Sequence, residues 1–485
     1  MPLPIFKTTP YQHQLNLWQR TKDKEFFALF WEMGTGKSKL IIDTVSHLFT
    51  EQKITGFVLV SDKGCYQDFI ENELPIHLWE GIGHHSFVWS SILSLKKHKT
   101  KKERLFNYDE GLSVLGINID GLLTVRGFNL VRDFLQAHPS LLCIDESTSI
   151  KSMSAKRTKK AIELGQYAAY RRIATGTPIT QSPLDMFSQC QFLKPGVLGF
   201  DNFFIFRHYF AKMITLQRGN RSFQKVVGFR NLDHLKKIIA PFSHRITKKE
   251  CLDLPEKIYL TRMVELTKEQ KAAYDSLKHE AFLEFEGGSL SVTHALTILT
   301  KLHQVLCGHV KDEQGKVHDI PNNRVGLLQD TVTTLLDEGC AKVIIWCNFI
   351  RDIELVMGAL LGREDGLYPV SYYGDTSHQG RLKSLDKFKH DDKCRFLVGN
   401  PACGGKGLNL VEANTVIYYS NSYRLEMRLQ SEDRAHRIGQ ENNVTYIDLV
   451  VPKSLDARIL KALRAKKSIA DGLLDDYKQI LARKE

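Results

Sequence analysis

Short apolar runs alternate with longer mixed segments in two separate stretches of the chain. The runs are residues 26–30, 56–60 and 141–144 in the first stretch and 342–346, 394–398 and 415–419 in the second. Runs of this length, bounded by glycine, proline or polar clusters and separated by helical periods, are typical of buried parallel strands covered by helices. The pattern predicts an α/β protein with two parallel-sheet domains.

Between these stretches, from about residue 184 to 308, helical periods dominate, as in 270–285 and 296–305. We expect an N-terminal domain over 1–250 that includes a basic helical insertion at about 184–250. The C-terminal domain is then 251–485, starting with a helical insertion at about 265–310. The turn Leu254-Pro255-Glu256 is a candidate junction between the two.

Charge points to a polyanionic partner. The chain has 485 residues, 42% of them hydrophobic, and a formal net charge of +12. Basic residues are concentrated between Arg207 and Lys249, and a second basic run spans 96–104. Such a balance favours nucleic acid as a partner.

Other bulk features predict a soluble protein inside a cell. The nine cysteines are scattered without a CxxC pair, which is typical of reduced thiols. The N-terminus lacks the pattern of a secretory signal, and no apolar run approaches the ~20 residues of a membrane helix. We therefore expect a cytoplasmic protein that is not secreted and has no membrane partner.

The first candidate site follows the apolar run at 26–30. Gly34, Thr35 and Gly36 form a turn that leads through Lys37 and Ser38 into a helical pattern, the strand–turn–helix context of a phosphate-binding loop. Glycines let backbone N–H groups close around phosphate oxygens, and the helix N-terminus favours the negative charge. Lys37 would reach the β- and γ-phosphates of ATP, and the Ser38 hydroxyl would bind Mg²⁺.

Trp31 departs from this loop pattern, because it occupies the position where the full pattern has glycine. A tight turn that merely carries Lys-Ser is the alternative.

The second candidate site is Asp145-Glu146, directly after the run at 141–144. The carboxyl edge of a parallel sheet is where nucleotide sites lie. Asp145 would hold Mg²⁺, and Glu146 would orient and deprotonate the attacking water. The alternative is a solvated strand end without function.

The third candidate is the pair Arg434 and Arg437. Three residues apart, they share a face if the segment is helical. One interpretation is a surface salt-bridge cluster with Glu432 and Asp433. The other is a pair of arginine fingers that stabilise a γ-phosphate, an effect of roughly 10³–10⁵ in rate.

These segments, taken in order, resemble the motifs of the Swi/Snf-type ATPases of helicase superfamily two. The matching segments are 10–12 with Trp18, 32–38, 59–63, 145–148, 174–179, 343–346 with Phe349, 403–410, and Asp433-Arg434-Ala435-His436-Arg437-Ile438-Gly439-Gln440. The last is near-verbatim and specific to this branch, and the match covers nearly the whole chain.

The resemblance implies two RecA-like lobes with helical insertions, ATP and Mg²⁺ as cofactors, and double-stranded DNA as partner. It places Gln12 at the adenine, and Gly407 and Asn409 in the nucleotide-binding part of the second lobe. Two positions depart from the family pattern. Ser147-Thr148 replaces the family's Ala-His, and Tyr423 occupies the tryptophan position of the family's Asp-x-x-Trp-Asn-Pro segment. The candidate DNA contacts are Lys63, Lys151, Arg381, Lys406, Tyr423 and the basic residues of 207–249.

The sequence thus predicts an ATP-dependent double-stranded DNA translocase that displaces bound proteins or remodels branched junctions, in a compact bacterial or viral form. Two alternatives remain open: a strand-separating helicase, and a DNA-binding scaffold that nucleotide only regulates. A polymerase or another DNA-bound protein is a candidate partner. His303, Cys307 and His309 have the residue types of metal ligands, but they lack a second pair at matching spacing and are predicted to pack in the core.

Overall fold

The computed structural model describes residues 6–62, 65–90, 95–179, 182–218, 221–252, 254–286, 292–404 and 408–465. Three predicted site residues, Lys63, Lys406 and Gly407, lie outside these ranges. The chain divides into two compact units, Met1–Asp253 (unit 1) and Leu254–Glu485 (unit 2).

Unit 1 is built on a seven-stranded parallel sheet. Its strands and those of a separate hairpin are β1 (Phe26–Trp31), β2 (Gly56–Ser61), β3 (His84–Val88), β4 (Leu112–Asn118), β5 (Ser140–Asp145), β6 (Tyr170–Ala174), β7 (Ala211–Arg218), β8 (Arg221–Phe229) and β9 (Ser243–Ile246). The sheet order is β3-β4-β2-β5-β6-β1-β9, and β7 pairs only with β8. Each neighbouring pair in the sheet is parallel.

Helices cover both faces of this sheet. They are α1 (Gln12–Thr21), α2 (Lys37–Thr50), α3 (Cys65–Asp68), α4 (Leu74–His77), α5 (Leu95–Phe106), α6 (Val125–Ala137), α7 (Lys156–Gly165), α8 (Met186–Leu193), α9 (Phe203–Phe210), α10 (Leu232–Ile239) and α11 (Lys248–Cys251). A π-helical turn, Phe69–Glu73, joins α3 to α4, and 3₁₀ turns span Ile119–Leu123, Ser147–Ile150, Pro183–Asp185 and Ala240–Phe242.

Strand β5 shows why the unit has two apolar layers. Leu142 and Ile144 belong to one core, whereas Leu141 and Cys143 belong to the core on the opposite face. Successive side chains of a strand point to opposite sides, so a strand buried on both faces is apolar at every position. This is the pattern that the apolar runs predict, and each of the six runs forms a strand.

The segment predicted as a basic helical insertion is only partly helical, so this prediction is wrong for residues 211–229 and 243–246. The first range forms the β7–β8 hairpin, and the second forms the edge strand β9 beside β1. Alternation decided the outcome at Ile214 and Leu216 on β7 and at Phe223 on β8. Apolar residues spaced by two favour strands, whereas the net basic character of the segment carries no information on secondary structure.

Unit 2 contains a six-stranded parallel sheet in the order β10-β17-β16-β13-β15-β14, and β11 pairs with β12 in a small antiparallel sheet. The strands are β10 (Lys257–Met263), β11 (His309–Lys311), β12 (Val317–Asp319), β13 (Val343–Trp346), β14 (Tyr368–Tyr372), β15 (Cys394–Gly399), β16 (Thr415–Tyr418) and β17 (Val444–Val450). The helices are α12 (Lys268–Glu286), α13 (Val292–Leu306), α14 (Arg324–Asp337), α15 (Ile350–Leu361), α16 (His378–His390), α17 (Pro401–Gly404), α18 (Leu425–Glu432) and α19 (Leu455–Arg464).

The predicted fold class is confirmed: both units are parallel sheets covered by helices, in the RecA-like manner, with the helices α12 and α13 in the predicted C-terminal insertion. All nine cysteines are free thiols. Within the described ranges, no helix combines the length and the apolar character needed to cross a membrane.

Candidate active site

The carboxyl ends of four neighbouring strands bring the predicted residues of unit 1 together. In the sheet, β2, β5, β6 and β1 are adjacent and parallel, and Asp145 of β5 pairs with Ala174 of β6. Ala174 in turn pairs with Leu29 of β1. The turns after β1, β5 and β6 therefore open on the same sheet edge, where ligands bind in open α/β sheets.

The turn after β1 has the backbone of a phosphate-binding loop. Gly34 and Gly36 have φ of 75° and 86°, a left-handed conformation that glycine adopts without steric cost. Gly36 caps the N-terminus of α2 and brings no side-chain hydrogen bond to it. The first amides of α2 are thus not capped by that residue, and a helix N-terminus of this kind favours an anion.

Two polar side chains of the loop, Thr35 and Lys37, are held by the loop's own backbone carbonyls. The Lys37 Nζ donates to the carbonyls of Trp31 at 2.9 Å and Glu32 at 3.2 Å. The Thr35 hydroxyl, fully buried, donates to the Glu32 carbonyl at 2.7 Å. Ser38, the second residue of α2, is half-buried. Lys37 must leave these carbonyls before it can reach a phosphate.

Helix α1 supports the loop through residues that the sequence analysis did not select. The Gln14 side chain is 1% exposed, donates from Nε2 to the Gly36 carbonyl at 3.2 Å and accepts from the Tyr11 amide at 2.8 Å. The His13 Nε2 lies 3.0 Å from the Thr35 carbonyl. Gln12, the predicted adenine contact, is instead exposed and donates to Asn16 at 2.7 Å.

The carboxylates lie at the end of β5. The Ser61 hydroxyl, at the end of β2, donates to Asp145 Oδ2 at 3.5 Å. Desolvation raises the pKa of the Asp145 carboxyl, and the positive charge of Lys37 opposes that rise. This interaction places the loop lysine and the strand-end carboxylate in one electrostatic environment, which is the arrangement expected for a nucleotide–metal site.

Glu146 has a strained backbone. Its φ is 54°, and a left-handed conformation costs a non-glycine residue of order 1–3 kcal/mol. The side chain is 9% exposed and accepts a hydrogen bond at Oε2 from the Thr175 hydroxyl at 3.1 Å. Thr175 follows β6, is fully buried, and its amide donates to the Leu29 carbonyl of β1. A second strand end therefore fixes the direction of the carboxylate.

Ser147 links the carboxylate segment to the segment after β6. Its buried hydroxyl donates to Gln189 Oε1 at 2.6 Å, and Gln189 Nε2 donates to the Pro178 carbonyl at 2.8 Å. The family pattern has alanine at the position of Ser147, so this chain gains a hydrogen-bonded connection there. The neighbouring Thr148 is 8% exposed.

The two predicted arginine fingers of unit 2 are not on a helix, which corrects the premise of that prediction. Helix α18 ends at Glu432, and Arg434 and Arg437 lie in the turns that follow. Their guanidinium groups nevertheless converge, since each donates to the Leu408 carbonyl, at 3.2 and 3.1 Å. Arg434 is only 6% exposed and also donates to the Gln430 carbonyl, whereas Arg437 is half-buried. Asn409, next to this carbonyl, is exposed.

A buried ion-pair network holds α18 against the sheet of unit 2. The Arg428 guanidinium lies 3.5 Å from the Tyr418 ring centroid and pairs with Asp448 at 2.5 Å and Glu432 at 2.8 Å. Glu432 also accepts from Lys257 at 3.0 Å. Glu432 is therefore part of this buried network and not of a surface salt-bridge cluster.

The predicted DNA contacts in the described ranges have different surroundings. Lys151 follows the 3₁₀ turn after β5, at the same sheet edge as Asp145. Arg381 lies in the first turn of α16, with its guanidinium 5.8 Å from the Tyr372 ring. Tyr423 is half-buried and packs against the core of unit 2. Lys151 thus lies at the sheet edge of unit 1 that carries the candidate nucleotide site.

His303, Cys307 and His309 lie in the interior of unit 2. His303 Nε2 is 3.4 Å from Asp456, and its ring contacts Phe349 edge-on at 5.1 Å. Burial lowers the pKa of His303 and of His309 to about 4 in each case. Burial also raises the pKa of the Cys307 thiol. Uncharged packing of these side chains is what the sequence analysis predicts.

Helical phase was the signal that could have identified Gln14. The buried residues of α1 are Gln14, Leu17, Trp18 and Thr21, spaced at i, i+3, i+4 and i+7. A polar residue in the apolar stripe of a helix needs a partner, and the adjacent loop carbonyl supplies it. No comparable local signal marks Gln189, because its role depends on two segments far away in sequence.

Known protein families match the chain in two parts. The SNF2-related domain matches residues 11–310, which is more than half of the chain, and the Helicase conserved C-terminal domain matches residues 327–439. Together the two matches include all three candidate motifs described above.

Similar proteins carry the names of ATP-dependent helicases or of a TATA-binding protein-associated factor. The uncharacterized ATP-dependent helicase MG018 of Mycoplasma genitalium is 26% identical over 354 residues, covering 72% of this chain and 32% of the relative. The TATA-binding protein-associated factor MOT1 of Saccharomyces cerevisiae is 28% identical over 391 residues, with 70% and 20% covered. The ATP-dependent helicase brm of Drosophila melanogaster is 24% identical over 476 residues, with 92% and 28% covered. The chain thus spans about a third or less of the length of these relatives.

Two solved structures of the Sulfolobus solfataricus SWI2/SNF2 ATPase core are also similar. The core in complex with dsDNA has a TM-score of 0.43 and 22% identity, with 100% of this chain and 99% of that chain covered. The core domain alone has a TM-score of 0.42 and 23% identity, with 100% and 96% covered. Family membership rests on the sequence match over residues 11–310. The chain belongs to the SNF2 family, which is the family that its ordered motifs predict.

Proposed function

We propose that this chain hydrolyses ATP with Mg²⁺ and uses the hydrolysis to translocate along double-stranded DNA. The observation that carries the proposal is the meeting of the Gly34–Gly36 loop, Asp145 and the Thr175–Glu146 pair at one edge of the unit 1 sheet. Membership in the SNF2 family supports the same chemistry.

Each side chain has a role that its surroundings support. The loop amides and the N-terminus of α2 would bind the phosphates, while Lys37 exchanges its two loop carbonyls for phosphate oxygens. Mg²⁺ in such sites is held by one or two carboxylates together with substrate phosphates, and Asp145 with the Ser38 hydroxyl are donors of that kind. When bound, the ion would neutralise charge that develops on the transferred phosphoryl group.

Glu146 is the proposed residue that orients the attacking water and accepts its proton. The Thr175 hydroxyl supports this role because it donates to Glu146 Oε2 at 3.1 Å and so restrains the carboxylate at the sheet edge. We assign Gln12 to the adenine on account of its exposed position at the start of α1, beside the loop that Gln14 holds.

Arg437 is the stronger candidate for the arginine finger. It is half-buried, while Arg434 is nearly inaccessible and bonded to two carbonyls. We therefore propose that Arg437 stabilises the γ-phosphate, that Asn409 and Gly407 bind the nucleotide, and that Arg434 positions the Leu408 backbone.

Duplex DNA is the proposed track. The chain is basic, and phosphate contacts from Lys63, Lys151, Arg381 and Lys406, together with Tyr423, would give sequence-independent and salt-dependent binding. The proposed work is displacement of DNA-bound proteins, a polymerase among them, or remodelling of branched junctions.

The test of the DNA requirement is the ATPase rate with duplex DNA, single-stranded DNA, forked DNA and RNA at equal nucleotide concentration. We expect duplex DNA to stimulate turnover well above the other ligands. Equal or greater stimulation by single strands would contradict duplex tracking. Displacement of a triplex-forming strand without unwinding of the duplex then separates translocation from strand separation.

Site variants test the chemical assignments. Lys37→Ala should lose ATP binding or turnover, and Glu146→Gln should bind ATP without hydrolysing it. Arg437→Ala should bind ATP normally but lose roughly 10³-fold or more in turnover. Arg132→Ala, on the exposed face of α6, is the matched control and should behave like the unmodified chain. Normal turnover in Arg437→Ala would make the finger assignment wrong, and binding without turnover in the unmodified chain would favour the scaffold alternative.

A further inference from the structure

The β7–β8 hairpin forms a ribbon that is anchored to unit 1 at its root. At its root, Phe210 and Ala211 are 0% and 2% exposed, and Arg230 donates to the His208 carbonyl at 2.6 Å. Beyond the root the ribbon leaves the core, because Lys212, Ile214 and Phe223 are all exposed. Residues 219–220 lie outside the described ranges.

Strand register divides the ribbon into two faces of different chemistry. Ile214 pairs with Lys225 and Leu216 with Phe223, and alternation along β7 adds Lys212 to the same side. We call these five residues the apolar–basic face. The opposite face has the cross-strand pairs Thr215 with Gln224 and Gln217 with Ser222, which are polar, and Met213 with Val226 nearer the root.

The apolar–basic face has apolar side chains in water. Ile214 is 44% exposed and Phe223 is 49% exposed, and within the described ranges neither belongs to a hydrophobic core cluster of unit 1. Burying these side chains against a partner is therefore favourable. On the opposite face, by contrast, Gln224 already accepts a hydrogen bond from Arg207 at 3.3 Å.

Charge around the ribbon selects a polyanion as that partner. From Arg207 to Lys249 the sequence contains eleven lysines and arginines and one acidic residue, Asp233. The Asp233 carboxylate faces Lys236 at 3.2 Å, so it does not offset the lysines of the ribbon. A partner that is polyanionic and also offers apolar surface in a groove fits both properties, and duplex DNA is such a partner.

The dimensions of the ribbon agree with a DNA groove. Strand β7 has eight residues, which corresponds to about 26 Å at ~3.3 Å per residue. A two-stranded ribbon fits the major groove of B-DNA, which is about 12 Å wide and presents thymine methyl groups to apolar side chains.

We propose that the apolar–basic face of the β7–β8 ribbon enters the major groove of duplex DNA, with Lys212 and Lys225 on backbone phosphates and Ile214, Leu216 and Phe223 against base edges. This inference rests on the proposed function in so far as DNA is the track. It adds to that function a DNA-binding element that lies outside the nucleotide site and outside the family motifs.

The first experiment measures the phosphate contacts. The affinity for duplex DNA is measured over a series of salt concentrations for the double variant Lys212→Gln/Lys225→Gln. The control is Lys53→Gln/Lys160→Gln, which changes the net charge by the same amount at two lysines that are paired with acidic residues. The slope of log affinity against log salt should become shallower by about 1.8 for the ribbon pair, at ~0.9 per phosphate, and stay unchanged in the control. Equal slopes in both would overturn the proposal.

The second experiment measures the groove contact. Phe223→Ala should weaken duplex binding about fivefold, since the exposed half of the ring is covered in the complex. Gln217→Ala, on the opposite face of the ribbon, should stay within about twofold of the unmodified chain, and thermal melting shows that both variants are folded. Single-stranded DNA lacks the groove, so its affinity should not change in Phe223→Ala.

The outcomes separate the ribbon from the proposed function. If duplex DNA stimulates the unmodified chain but the ribbon variants bind it as the controls do, the ribbon proposal is wrong and a protein partner becomes the better occupant of this face. If Phe223→Ala weakens duplex and single strands equally, the groove contact is wrong. If the unmodified chain does not bind duplex DNA, the proposed function itself fails.

Discussion

The hydrogen bond from Thr175 to Glu146 provides a quantitative test of the proposed catalytic carboxylate. Thr175 is fully buried, and its hydroxyl donates to Glu146 Oε2 at 3.1 Å while accepting from the Thr177 amide at 3.2 Å. Thr175→Val replaces this hydroxyl with a methyl group of similar size. The variant therefore removes the restraint on the carboxylate and creates almost no cavity.

The expected loss of turnover in Thr175→Val follows from the strength of the hydrogen bond that the variant removes. A bond to a charged group contributes about 1.5–3 kcal/mol. If that restraint is needed in the transition state, turnover falls by roughly 10- to 150-fold, because each ~1.4 kcal/mol corresponds to a factor of ten. Nucleotide affinity should change by less than about threefold, since Glu146 is proposed to contact the water and not the nucleotide.

Steady-state ATPase rates at saturating duplex DNA and ATP measure this effect, with nucleotide binding and thermal melting in parallel. Thr158→Val is the matched control: this threonine is also fully buried in unit 1, and its hydroxyl has no hydrogen-bond partner within the described structure. It should keep normal turnover and equal or higher stability, because no bond is lost.

A particular pattern would refute the reasoning. If Thr175→Val is folded, binds ATP normally and turns over within twofold of the unmodified chain, then the Thr175 bond does not prepare Glu146 for catalysis. If Thr158→Val loses turnover to the same degree, the loss comes from buried hydroxyls in general and not from this bond.

Two further predictions concern the loop and the interior of unit 2. Gly36→Ala should weaken ATP binding at least about tenfold, because the added Cβ would lie 2.0 Å from Gln14 Nε2 and the residue has a φ of 86°. The control is Gly196→Ala: its φ is 76° and no atom lies within 4 Å of the added Cβ, so it tests the backbone strain alone. Burial raises the pKa of Asp352 to about 7, so the folded state keeps this carboxyl protonated and the free energy of unfolding falls as the pH rises from about 4 to 7. Burial lowers the pKa of the neighbouring His309 to about 4, so the stability that its neutral ring contributes is lost as the pH falls from 6.5 to 4. Asp352→Asn removes the effect of Asp352 and leaves that of His309. On acidification through this range, the free energy of unfolding of the variant should therefore fall more steeply than that of the unmodified chain, by about 1.4 kcal/mol per pH unit. Equal slopes in chemical denaturation would contradict the raised pKa of Asp352.

The sequence predicted correctly those elements whose local pattern of apolar residues is compatible with one type of secondary structure. Each of the six apolar runs forms a strand, because runs of four or five mostly apolar residues between polar breaks are typical of strands buried on both faces of a covered parallel sheet. Local pattern failed for residues 211–229, where basic side chains obscured the alternation of Ile214, Leu216 and Phe223 and a hairpin was missed.

The same distinction applies to the candidate site. Residues 32–38 and 145–146 were recognisable because phosphate binding requires glycines and a lysine within a few positions of one strand end. Arg434 and Arg437 were recognised as a pair, but the shared helix was wrong, since their convergence comes from the Leu408 carbonyl and not from helical spacing.

The chain by itself therefore determined the fold class and the family, and it supplied the candidate residues for the proposed chemistry. Tertiary structure alone decided how those residues are held: Gln14 on the Gly36 carbonyl, Thr175 on Glu146 and Gln189 between Ser147 and Pro178. The physical reason is distance along the chain. A motif records which groups a reaction needs, whereas the partner that satisfies a buried hydrogen bond is chosen by the neighbouring strand or helix, which is brought there by packing.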